Sequence, residues 1–72
     1  MTLDTRGLEP PEPMMQILEK LASVGEDDIL EVKNDRRPMF LYPKLEERGF
    51  VHQTEERPDG SILITIQRKK ES

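Results

Sequence analysis

One segment near the C-terminus constrains this chain more than any other. In FVHQTEERPDGSILITIQRK, residues 50–69, Pro58 and Asp59-Gly60 separate two β-permissive runs, and Ile62, Ile64 and Ile66 recur at every second position. Proline presets φ for a turn, and Asp-Gly supplies the positive φ that a tight reversal needs, so the pattern predicts a terminal antiparallel hairpin. An isolated hairpin is marginal in water, and the isoleucine face has to be covered by the rest of the chain.

The remaining residues supply the cover. In DDILEVKND, Leu30 and Val32 alternate with Glu31 and Lys33, the signature of a strand with one buried face. Ahead of it, Met14, Ile17, Leu18, Leu21 and Val24 recur at three and four, which predicts an amphipathic helix from Pro11 to Val24 with Gly25 as a left-handed C-terminal stop. In RRPMFLYPKLEERGF, Leu41 and Leu45 lie one turn apart, Glu46 and Glu47 face outward and Gly49 ends the run. Proline costs about 3 kcal/mol inside a helix but nothing in its first turn, so Pro43 places the start near Leu41 or Tyr42. TLDTR, closed by Gly7, predicts a first strand of about four residues.

The order is β-α-β-α-β-β. Right-handed crossovers put both helices on one face of the sheet, and the last strand fits between the second and third. The expectation is an α/β (α+β) two-layer sandwich with a mixed four-stranded sheet in order 1-2-4-3. A chain of 72 residues forms one domain, residues 1–72, with a loose tail over 69–72 where RKKES leaves nothing to bury.

Composition narrows the chemistry. Cysteine is absent, which removes disulfides, thiolate metal ligands and a cysteine nucleophile. The net charge of −4, from 15 acidic against 11 basic side chains, argues against tracking nucleic-acid phosphates. No apolar run reaches the length of a membrane span, and no leader precedes the fold, so a soluble cytoplasmic protein is expected.

Few residues invite a functional reading. His52 is the one histidine, either an ordinary strand residue or a lone acid/base or ligand, and no second histidine supports a metal site. Glu46-Glu47 and Glu55-Glu56 are adjacent pairs whose side chains point apart, as on a solvated face. Met14, Met15 and Met39 read as core or core-edge residues, although exposed methionines would suit an adaptable protein contact.

The topology brings three connections to one rim: Arg6 to Glu12, Asn34 to Pro38 and Arg57 to Ser61. Arg6, Arg36, Arg37 and Arg57 would gather there beside two helix N-termini with their free N–H groups, a setting for planar anions. Equally, these arginines could pair with Asp4, Glu9, Glu12, Asp35 and Asp59 on the same rim. Phe40 and Tyr42 are candidates for an apolar shelf beside it, or for half-buried packing at the start of the second helix.

LDTRGLEPPEP, residues 3–13, resembles the signature of the TusA/SirA-like sulfur-carrier family, in which Leu-Asp, Gly-Leu and Cys-Pro-x-Pro lead from the first strand into the first helix. Leu3, Asp4, Gly7, Leu8, Pro11 and Pro13 match in register. Asp35 falls where the family has an aspartate after the second strand, and YPKLEERG from Tyr42 resembles the Ile-Pro segment that opens its second helix.

Family members carry sulfur as a persulfide on the cysteine, and Pro10 occupies that position here. A proline has neither a nucleophile nor an N–H, so persulfide carriage is excluded. The resemblance therefore implies the cysteine-less, uncharacterised branch of this superfamily, whose members occur alone or joined to hemerythrin-like domains. That association implies a bacterial redox or respiratory setting. The expected role is a non-enzymatic binding or regulatory module, or an accessory scaffold of a sulfur relay. It is expected to be monomeric and cofactor-free, docking a protein or a small anionic ligand through a rim of Arg6, Glu9, Pro10, Asp35, Arg36, Arg37, Tyr42 and Arg57.

Overall fold

The computed structural model describes residues 1–69 and has six elements: β1 (Thr2–Asp4), α1 (Glu12–Leu21), β2 (Ile29–Asn34), α2 (Leu41–Glu47), β3 (Phe50–Glu56) and β4 (Ile62–Arg68). The sheet runs β1-β2-β4-β3, with β1 parallel to β2 and the other neighbours antiparallel. This is the mixed four-stranded α/β sandwich that the sequence predicts. The expected loose tail lies, from residue 70 onward, outside the described residues, while the Lys69 N–H donates to the Gly49 carbonyl at 2.8 Å.

Register explains the core. Leu30 pairs with Ile66 and Val32 with Ile64, so the even-numbered residues of β2 and β4 share one face, and both helices bury against it. Ile17 and Leu21 come from α1, Leu41 and Leu45 from α2, and all are at most 3% exposed. At roughly 25 cal/mol per Å² of apolar area removed from water, such side chains supply most of the drive to fold. Leu63 points to the other face and is still buried, between its cross-strand partners Lys33 and Glu55, whose aliphatic stems can shield it.

Two boundaries differ from the sequence reading. β1 has three residues, and α1 ends at Leu21 rather than Val24. Gly25 is not left-handed: positive φ belongs to Gly7, Gly49 and Gly60. Instead the chain tightens into three-residue turns, with Ala22, Ser23 and Val24 donating to the carbonyls of Glu19, Lys20 and Leu21, and this drives Val24 into the core. The Gly25 N–H then donates to the Asp28 carboxylate at 2.9 Å. A side-chain acceptor does there what a left-handed glycine does at Gly49.

The opening of α1 has a property that its prolines create. A helix start leaves four N–H groups without intrahelical partners. Here Pro11 and Pro13 have none to offer, and the Glu12 N–H donates to the Glu9 carbonyl at 2.9 Å. The first intrahelical bond runs from Met15 to the Pro11 carbonyl, which leaves the Met14 N–H as the free first-turn donor among the described residues. The short α2 is reduced in the same way, since Pro43 has no N–H and Leu41 donates to the Pro38 carbonyl.

Candidate functional site

The three predicted connections do converge. The Gly7 N–H, in the β1–α1 loop, donates to the Asp35 carboxylate at 2.7 Å, tying that loop to the β2–α2 loop. Arg6 lies within electrostatic reach of both Asp35 and Asp59, the latter in the β3–β4 turn. Gly7 has φ +83°, a conformation that L side chains rarely adopt, so glycine is needed where the loop turns to meet Asp35.

Between the two tied loops lies an open cleft of about 330 Å³. One wall is Leu8, Pro10, Pro11, Pro13 and Met14; the other runs from Asn34 to Phe40. Asn34 builds the second wall from within. It is buried, its side-chain amide donates to the Arg36 carbonyl at 3.0 Å, and its side-chain oxygen accepts the Asp35 N–H at 2.9 Å. Beyond it Met39 is 65% exposed and Phe40 84% exposed. Met39 and Met15 therefore do not join the core, and Met14 alone of the three packs against it.

The predicted site residues divide. Pro10, Asp35, Arg36 and Arg37 line the cleft. Glu9 lies exposed at its α1 end and contributes its carbonyl to the helix start. Arg57 stands in the hairpin turn, where its backbone N–H donates to Ser61, away from the cleft. Tyr42 is also elsewhere: its ring stacks on His52 at 4.6 Å, and its hydroxyl is 2.7 Å from the Thr54 hydroxyl, so it packs α2 on β3 while Phe40 alone faces the cleft. His52 is thereby a half-buried packing residue. Among the described residues, no group of three His, Cys, Asp or Glu side chains could hold a metal.

The arginines are unequal. Arg6 makes two bonds to the Asp4 carboxylate, at 2.8 and 3.0 Å. Arg37 pairs with Glu56 at 3.0 Å, a partner the sequence did not suggest because it lies across the fold on β3. Neither Arg36 nor Arg57 has an ion pair among the described residues. Hydrogen bonds from the Arg6 side chain and backbone hold Asp4 down at about 2, from an ordinary 3.8, and the Ser61 hydroxyl and N–H lower Asp59 as well.

A depressed folded-state pKa means that the Asp4 contribution is present above the ordinary carboxylate range and is lost as pH falls through about 2. The pair lies at the surface, so the effect on stability is small. A carboxyl carbon NMR titration is expected to place the Asp4 midpoint near 2, with Arg6→Gln moving it back toward 3.8.

Comparison with known proteins supplies the family. A family profile described as "Uncharacterized conserved protein (DUF2249)" matches residues 2–68. The chain belongs to the DUF2249 family. The crystal structure of a SirA-like protein from Desulfitobacterium hafniense superposes on this DUF2249 chain with a TM-score of 0.81 and 26% sequence identity, covering 96% of this chain and 97% of that one. No curated protein matches. This DUF2249 member is thus a cysteine-less protein of SirA-like fold. No helix among its described residues is long and apolar enough to cross a membrane.

Proposed function

We propose that this chain is a non-catalytic binding or regulatory module that works through the cleft between its β1–α1 and β2–α2 loops, in bacterial redox or respiratory metabolism. The observation that carries this reading is Pro10. It lines the cleft at the position that corresponds, by resemblance, to the sulfur-carrying cysteine of TusA/SirA-like proteins, and the chain has no thiol anywhere. What persists is an apolar recess with charged groups at its margin, a form suited to recognition rather than covalent chemistry. The SirA-like fold also supports a second reading, an accessory scaffold in a sulfur relay whose thiols belong to other proteins.

Incubation with a cysteine desulfurase and radiolabelled cysteine separates carriage from docking. The expected result is no covalent label on this chain after non-reducing denaturation. Retained label would sink the non-catalytic reading. Affinity capture from the source cell then tells the settings apart, by recovering either respiratory proteins or desulfurase-pathway proteins.

A further inference from the structure

Resting on that reading of the cleft, we propose that its occupant is an apolar and acidic segment of a partner protein, with a large apolar side chain seated between Pro10 and Phe40 and a carboxylate nearby on Arg36.

Three observations select this chemistry. First, the recess is built mainly of carbon, and its outer lip is Met39 and Phe40, the two most exposed large apolar side chains in the described chain. Isolated exposed apolar residues are normal, but two in succession beside an apolar recess mark a contact surface. A methionine and an aromatic side chain are also the types that adapt to and anchor protein partners.

Second, the cleft holds an arginine open to a partner: of its charged lining residues, Asp35 accepts the Gly7 N–H and Arg37 is paired. Arg36 lines the cleft without an ion pair among the described residues, while Arg37 beside it spends one nitrogen on Glu56. A guanidinium left open beside an apolar recess complements a carboxylate flanking an apolar anchor.

Third, the start of α1 offers a small inorganic anion little. The first turn of α1 keeps only the Met14 N–H among the described residues, because Pro11 and Pro13 have none and Glu12 is satisfied by Glu9. A phosphate held by a helix start needs several converging N–H groups. A peptide segment needs mainly the apolar surface and one arginine.

The test is panning a random peptide display library on the intact protein and on Arg36→Glu and Phe40→Ser. Both residues are exposed, so the variants keep the fold, checked by amide NMR dispersion. The expected result is enrichment of sequences with a large apolar residue within a few positions of Asp or Glu, falling more than about tenfold on either variant. A synthetic peptide of the enriched sequence should shift the amides of Leu8, Met14 and Phe40.

Failure to enrich any motif, selection of basic motifs, or enrichment indifferent to both substitutions overturns the proposal. So does self-association in sedimentation velocity that Phe40→Ser abolishes, because the occupant is then a second copy. Titration with 3-phenylpropionate separates the remaining case: cleft amides shifting with this small acid while no peptide binds would overturn the peptide proposal and leave the binding-module reading standing. Covalent sulfur on the protein would instead remove the reading beneath both.

Discussion

Ile64→Ala is expected to destabilise the protein severely while leaving a cooperative folded state. Ile64 is fully buried at the middle of β4, the strand that holds β2 on one side and β3 on the other, opposite Val32 and Thr54. Truncating such a side chain costs about 2–5 kcal/mol, the loss of transfer energy plus that of a cavity which a closely packed sheet cannot collapse. A domain of this length has a total stability of roughly 4–11 kcal/mol, at about 0.05–0.15 kcal/mol per residue. The substitution therefore removes a large share of what exists. Urea titration followed by circular dichroism should show a midpoint lowered by about 2 M or more, with slope unchanged. A midpoint within about 0.5 M of the parent would contradict the central placement of Ile64.

Asn34→Ala should have the next largest effect, and it should be felt at the cleft. The side chain satisfies the Asp35 N–H and the Arg36 carbonyl. Leaving partly buried backbone groups without partners costs about 1–3 kcal/mol. Asp35 is the residue whose carboxylate accepts the Gly7 N–H, so loosening its backbone also loosens the tie between the two walls. The expected outcome is a moderate drop in the urea midpoint together with increased hydrogen exchange at Gly7, Asp35 and Arg36, while the β3–β4 amides keep their protection. Uniform loss of protection would show that Asn34 supports the whole fold rather than this loop.

The contrast between these two positions marks what could be read in advance. Ile64 belongs to a two-residue period, and periodicity reports burial without knowledge of any partner. The same holds for Leu30, Val32, Leu41 and Leu45, and the start of α2 followed from the fixed φ of Pro43. Asn34 carries no such mark. Its role depends on where Asp35 and Arg36 turn, and a polar residue after a strand reads only as the start of a turn.

The cleft was legible in part for similar reasons. Crossover handedness brought the correct loops together, and the resemblance placed Pro10 among them. Met39 and Phe40 could be read either as packing residues or as exposed contact surface, and because they fall outside the Leu41 and Leu45 spacing only the structure shows that they are exposed. Gly25 misled because a glycine after a helix is most simply a left-handed stop, whereas Asp28 lies close enough to accept its N–H. Arg37 finds Glu56 across a separation of 19 residues, which no local pattern encodes.

The stripped opening of α1 has a bearing on the small anions that surround a protein. Free phosphate, nucleotides and small organic phosphates are abundant wherever metabolism runs, and a helix start with several open N–H groups would hold some of them much of the time. Any partner would then have to displace that crowd before it could dock. Pro11 and Pro13 take away two of those donors at their source, in the covalent structure, where neither salt nor pH can restore them. At the α1 side of the recess between Pro10 and Phe40, selectivity begins with the donors that the chain does not offer.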